Sequence, residues 1–184
     1  MKAIRTLYKG ILFRSKLEAE WAKFFDYLGI SWIYEPEGYE FKDGTRYLPD
    51  FWLPDSKQWF EVKGIMSDKD QHKIETLCYE SERDVVVGYP DGEFDMYDMW
   101  FLNDNDEKIL SHYSKGETYI NRCKECEKYS FMNSIGSYQC QCCDAYDGDH
   151  YVNWIMEGEN NHWSRQEHDT WKRISRIDVR ENNY

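Results

Sequence analysis

Leu17, Trp21, Phe24, Phe25 and Leu28 recur at helical spacing behind Ser15. They give one apolar face to a helix over 15–28, with Gly29 placed to end it. The period then changes. SWIYEPEGYEFK and TRYLPDFWL are strand-like runs separated by Asp43-Gly44, a pair that favours a tight hairpin turn. A second turn at Pro54-Asp55-Ser56 leads into QWFEVKG. The pattern predicts another helix over 68–81, and DVVVGY (84–89) is the β-branched run of a buried strand. Helix, three antiparallel-leaning strands, helix and strand together predict an α/β core, a mixed β-sheet flanked by helices. From 91 to about 118 the chain turns polar and acidic, which predicts a boundary. The expected organisation is a core over 1–110, a small cysteine-rich module over 111–150 and a tail over 151–184.

Composition adjusts this picture. Of 184 residues 41% are hydrophobic and 17% aromatic, enough for a substantial core with aromatics left for a binding surface. No apolar run approaches the length of a membrane span, and MKAIRTLYKGILF lacks a signal-peptide pattern. No membrane association and a cytoplasmic location are therefore expected. The formal charge of −12 argues against a general nucleic-acid coat, because phosphate binding needs cations. The charge is uneven, however. Residues 1–17 carry Lys2, Arg5, Lys9, Arg14 and Lys16 and no acid, whereas 91–107 carry seven acids and no base. The acidic segment is either solvated surface or a dock for a protein partner.

The chemistry-bearing residues sit where they are least expected. Asp50, Glu61 and Lys63 are interleaved with Phe51, Trp52, Leu53, Trp59, Phe60 and Val62. Ionised groups enter such surroundings when they pair with one another or hold a metal. Glu61 and Lys63, two apart on a strand, face the same side of the sheet, and the turn after Leu53 can bring Asp50 beside them. Mg²⁺ suits such a set, since it takes oxygen ligands and is usually held by one or two carboxylates. The competing reading is a plain ion pair at a sheet edge. Glu18 has two readings as well. Ser15-Lys16-Leu17-Glu18 is a capping box in which Glu18 would bond back to the Ser15 amide, and a Glu on this helix can also face the strands and serve a second metal.

FRSKLEAEW, YLPDFWLP and WFEVKG, in this order and spacing, resemble the PD-(D/E)XK nuclease superfamily, most closely the compact phage resolving endonucleases and their relatives in phages and mobile elements. The resemblance covers residues 10 to about 89. It implies a restriction-endonuclease-like core and a Mg²⁺-dependent (or Mn²⁺-dependent) endonuclease that cuts DNA, branched or at a specific site, to 5′-phosphate ends. It implies that Glu18, Asp50, Glu61 and the Val62 carbonyl hold metal and that Lys63 assists the attacking water. It also makes a homodimer and a phage origin, with action in the host cytoplasm, reasonable expectations. The cysteine module and the −12 charge depart from small basic resolvases. Two rival functions stay open: a non-catalytic adaptor that keeps the fold, and an RNase or exonuclease on the same core. Arg14, Ser15 and Lys16 can meet phosphate at a helix N-terminus. Gln71, His72 and Lys73 either face the same cleft or form an exposed helix face. Nothing in the sequence separates Glu20, Glu35 and Glu37 from surface acids.

Cys78 reads as a small core residue, and the other five cysteines crowd into 123–143. Cys123-Lys-Glu-Cys126 and Cys140-Gln-Cys142-Cys143, thirteen residues apart, offer the four thiolates of a structural Zn²⁺ site in a reducing compartment. Cys123, Cys126, Cys140 and Cys143 are the expected ligands of a zinc ribbon, with Cys142 a bystander. A register using Cys142 or His150 is the alternative. The core over 10–89 is expected to be a separate hydrophobic unit that survives loss of zinc. Tyr138, Tyr146, Tyr151, Trp154 and Trp163 either stack on bases or pack the ribbon onto the body. Lys172, Arg176 and Arg180, with Arg173 beside them, form a basic stripe that either touches DNA or is solvated.

Overall fold

A computed structural model describes residues 3–90, 97–103, 109–113, 118–123, 125–133 and 139–146. In chain order the elements are β1 (Thr6–Tyr8), β2 (Ile11–Phe13), α1 (Lys16–Leu28), β3 (Ile33–Tyr34), β4 (Tyr39–Glu40), β5 (Arg46–Tyr47), β6 (Phe51–Leu53), β7 (Gln58–Val62), α2 (Asp68–Ser81), β8 (Val85–Gly88), β9 (Tyr97–Asn103), β10 (Ile109–Tyr113), β11 (Thr118–Arg122) and β12 (Tyr129–Asn133). The central sheet has the order β10-β9-β8-β7-β6-β3. It is mixed: β7 and β8 run parallel, joined by α2, and every other neighbouring pair is antiparallel. No helix among the described residues is long and apolar enough to cross a membrane.

Local signals place both helices. Ser15 caps α1, its hydroxyl accepting from the Glu18 amide at 3.1 Å. Gly29 ends the helix at φ 71°, with Ile30 N–H bonded to Phe25 O and Gly29 N–H to Asp26 O, a Schellman arrangement that needs the left-handed conformation. Ser67 caps α2 in the same manner as Ser15, accepting from the Asp70 amide at 3.2 Å. Alternation along the strands then builds two cores. Phe51, Phe60 and Val86 pack with Trp21, Phe24 and Phe25 of α1, while Trp59, Val85 and Val87 pack with Ile74, Leu77 and Cys78 of α2. Glu61, one residue from Phe60, therefore falls on the α2 side.

Three expectations need correction. The stretch expected to be polar and acidic contributes two further strands to the central sheet, Tyr97–Asn103 and Ile109–Tyr113, in which Tyr97, Met99 and Trp100 are buried. Acids mask the alternation there, and one of them, Asp98, is itself buried and accepts a hydrogen bond from Tyr89 Oη at 2.6 Å. The Asp43-Gly44 hairpin forms, but its strands β4 and β5 make a separate two-stranded sheet, and β3 pairs with β6 instead. The cysteine module is not hydrophobically separate. Ile120 and Phe131 of the β11–β12 hairpin belong to the α1-side core, and the Gln58 amide bonds both ways to the Phe131 backbone, at 2.8 and 3.0 Å.

The α1-side core is tight enough to require a glycine. A Cβ on Gly88 would lie 2.8 Å from Phe60 Cε1 and 2.8 Å from Trp21 Cε2, both on rings held by neighbouring aromatics. Gly88→Ala should cost about 2 kcal/mol or more, as overpacking does. Chemical denaturation checks this, and an unchanged midpoint would show that the rings yield freely.

Candidate active site and metal centre

The β6–β7 hairpin sets the site. Register pairs Phe51 with Phe60, so Asp50, just before β6, lies opposite Glu61. Each carboxylate is tied to the other strand. Asp50 Oδ2 accepts the Val62 amide at 2.8 Å, and Glu61 Oε1 accepts the Asp50 amide at 3.1 Å. Lys63 Nζ lies 2.8 Å from Glu61 Oε2 and 3.8 Å from Asp50 Oδ2. The side chains of Asp50 and Glu61 are 7% and 1% exposed, so the two carboxylates are inside the protein.

Glu18 reaches the cluster indirectly. It does not bond to the Ser15 amide as the capping box predicts. Its Oε1 takes the Ser15 hydroxyl at 2.7 Å, and its Oε2 takes the Tyr34 hydroxyl at 2.5 Å and the Arg14 amide at 3.2 Å. The Arg14 guanidinium then spans to Asp50 Oδ1 at 2.6 Å, and its Nε lies 2.6 Å from Glu35 Oε1. Burial would lower the Arg14 pKa, but Asp50, Tyr34, Glu35 and Glu18 together raise it. Arg14 is thus a fixed cation within the acidic cluster.

Two tyrosines complete the cluster, and the sequence marks neither. Tyr47 Oη donates to Glu61 Oε2 at 2.5 Å, as Tyr34 does to Glu18. Burial, with the nearby carboxylate, raises both phenols well above their ordinary range, so both act as donors at neutral pH. Lys73 lies over the Tyr47 ring, 5.3 Å from its centroid, which puts this helix residue beside the cluster. Lys16 instead pairs with Glu20 along α1 at 3.4 Å, and Gln71 and His72 are exposed.

Charge decides what the site can take. Glu18, Glu35, Asp50 and Glu61 face Arg14 and Lys63, so acids outnumber bases by two when all four are ionised. Burial and then Glu61 push the Asp50 carboxyl up to about 7, against the opposing pull of Lys63, the Val62 amide and Arg14. For Lys63 burial pulls down, but Glu61 and Asp50 outweigh it and raise the ammonium, which stays charged. The donor types are ones that a divalent cation takes. They are carboxylate oxygens with lone pairs to spare and a strand-end carbonyl at Val62. The three carboxylates do not close on a single point, because Arg14 and Lys63 lie among them.

The cysteines do converge. The ligand sulfurs of Cys123, Cys126, Cys140 and Cys143 all lie within 4.8 Å of one another, with Cys123–Cys143 at 3.8 Å and Cys126–Cys140 at 3.7 Å. A tetrahedron with Zn–S of about 2.3 Å has edges of about 3.8 Å, so these spacings suit structural zinc. Both knuckles have the same backbone. Cys123 and Cys140 donate to Lys128 O and Ala145 O and accept from Glu127 and Asp144, which take φ of 59° and 61°. Cys142 stands outside the set. Burial, with Cys140 and Cys126 nearby, pushes its thiol up to about 12, while its amide donates to Cys140 Sγ. Tyr146 is exposed. His150, Tyr138, Tyr151, Trp154, Trp163, Lys172, Arg173, Arg176 and Arg180 lie outside the described residues, as do all acids of 91–107 except Asp98.

Two measurements follow from these centres. The native Asp50 pKa of about 7 exceeds the ordinary unfolded value of about 3.9, so the folded protein holds an extra proton between them. This contribution to stability is present at low pH and lost as pH rises through about 7. In metal-free buffer the melting temperature of Asp50→Asn minus that of wild type should therefore increase from pH 5 to pH 8, and a difference independent of pH would contradict the assigned environment. Elemental analysis should find one zinc per chain, missing in Cys123→Ser. Because Ile120 and Phe131 are core residues, stripping zinc should lower the melting of the whole protein. An unaltered main transition would show the ribbon to be energetically separate.

No family model matches the chain and no curated protein is similar to it, so the reading of this site rests on its own geometry.

Proposed function

We propose that this protein is a divalent-metal-dependent nuclease that hydrolyses phosphodiester bonds in DNA, branched or at specific duplex sites. The observation that carries the reading is the buried Asp50–Glu61 pair, cross-bonded between adjacent strands beside a charged Lys63, with an excess of negative charge around it. A structural ion pair has no use for that excess, which raises the Asp50 pKa and disfavours the folded state at neutral pH.

Asp50, Glu61 and the Val62 carbonyl would hold Mg²⁺ or Mn²⁺, with Glu18 available at the far side of Arg14. Bound there, the ion neutralises charge on the phosphoryl group and makes a water more acidic. The protein's own groups do the rest. Lys63, charged and 16% exposed, donates to the attacking water and to the charge that builds on the phosphoryl oxygens, and does not serve as the base. Tyr47 orients Glu61 by donating to its Oε2. Arg14, 48% exposed at the edge of the cluster, can bind phosphate with the planar fork it now turns to Asp50 and Glu35. Ser15 at the α1 N-terminus adds a site friendly to anions.

Incubation with circular, linear, branched and single-stranded DNA and RNA, in Mg²⁺, Mn²⁺ or EDTA, tests the proposal. Cleavage of DNA is expected with either metal and none with EDTA. Asp50→Asn and Glu61→Gln should lower the rate by orders of magnitude while the circular dichroism stays native. Full activity in either variant, or intact substrates throughout, would overturn the assignment.

A further inference from the structure

The two cations of the cluster are held differently. Lys63 is 16% exposed and sits between Glu61 and Asp50. Arg14 is 48% exposed. Its amide is fixed on Glu18 Oε2 and the Tyr34 hydroxyl, at 3.2 and 3.1 Å, while its guanidinium reaches to two acids on a flexible stem. Nη2 lies 2.6 Å from Asp50 Oδ1, and Nε lies 2.6 Å from Glu35 Oε1. Glu35 is itself tied to Asp50, its amide donating to the Asp50 carbonyl at 2.9 Å, so adjoining backbone carries both halves of this seat.

The seat matters because of the oxygen it covers. Asp50 Oδ2 already accepts the Val62 amide at 2.8 Å and has Lys63 at 3.8 Å, which leaves Oδ1 as the oxygen for an ion. An ion bonded to Oδ1 at about 2.1 Å would lie within about 5 Å of the Arg14 nitrogen. Like charges that close in a part-buried site repel strongly. Arg14 and a divalent ion therefore compete for one oxygen.

We propose that Arg14 is a displaceable counter-ion that couples metal binding to substrate binding. Without a metal, the guanidinium neutralises Asp50 and Glu35. When a divalent ion takes Asp50 Oδ1, Arg14 swings out to a phosphate of the nucleic acid, and a phosphate that draws Arg14 away opens the same oxygen to the ion. Each ligand thereby strengthens the other's binding, by the same factor in both directions. The planar fork suits this exchange, since it fits carboxylate and phosphate alike. The proposal rests on the nuclease reading and adds a regulation to it: the metal is held weakly until a phosphate is at hand.

The test uses the full chain with its zinc. Mn²⁺ binding is measured by electron paramagnetic resonance without nucleic acid, counting the site that Asp50→Asn loses. Arg14→Gln should bind Mn²⁺ there more tightly than wild type, by about fivefold or more, the usual size of such couplings. Lys16→Gln removes a cation of the same helix that pairs with Glu20 instead, and should leave this affinity unchanged. Arg14→Lys keeps the charge without the fork, so it should shift the affinity the same way by less; it decides the matter if circular dichroism shows Arg14→Gln unfolded. Binding of a branched oligonucleotide is then compared with and without Ca²⁺, used to suppress cleavage. Ca²⁺ should tighten binding more in wild type than in the Arg14 variants. An Arg14 that merely braces the acids would give weaker or unchanged Mn²⁺ binding on its removal. That result, or an equal Ca²⁺ effect in wild type and variants, would overturn the proposal and leave the nuclease reading intact. A wild type that binds neither Mn²⁺ at Asp50 nor any nucleic acid would remove both.

Discussion

Two carboxylates buried side by side at the meeting of β6 and β7 are the constraint around which this protein is arranged. Neither position is tolerable alone: an ionised carboxylate in an apolar interior loses hydration worth several kcal/mol. Here each is given a backbone amide from the opposite strand, so the hairpin that brings the charges together also solvates them. Tyr47, Lys63 and Arg14 supply the remaining donors. These donors keep the pair ionisable without cancelling its charge, the state a cation site requires.

The strand β7 connects this chemistry to the rest of the chain. At one end Gln58, fully buried, bonds to Phe131 of the cysteine ribbon. At the other end Glu61 and Lys63 form the charged cluster with Asp50. Between them Phe60 packs on Trp21, Phe25 and Phe131. Further ties bind the ribbon to the body, from Lys128 to Asp55 and from Gln141 to Asp84. A ribbon held at this many points serves as part of the wall behind the sheet, so its cysteines support the same strand that presents Glu61.

Much of this was legible in the sequence, because the decisive signals were local. Ser15 and Gly29 bound α1, the 68–81 periodicity matches α2, and the spacing of Asp50, Glu61 and Lys63 across one turn puts them together. The CxxC pairs converge as their spacing implies. What was not legible depends on partners distant in the chain. Tyr47 and Tyr34 look like any strand aromatics until the fold sets them against Glu61 and Glu18. Glu35 looks like a surface acid until Arg14 reaches it, and Arg14 itself reads as a phosphate contact although its guanidinium lies on Asp50. The strands β9 and β10 were hidden because acids crowd the segment, and only pairing with β8 shows that Tyr97 and Met99 point inward.

The central claim is that the cluster is an acidic site poised for a divalent cation, with Asp50 as its sensor. Carboxyl-carbon NMR on protein labelled at aspartate reads this directly, by titrating Asp50 with and without Mg²⁺. The account predicts a midpoint near 7 in metal-free buffer and a downward displacement as Mg²⁺ is added, since the ion binds the ionised form. An Asp50 that titrates in the ordinary range near 3.9, or one whose midpoint ignores Mg²⁺, would contradict it.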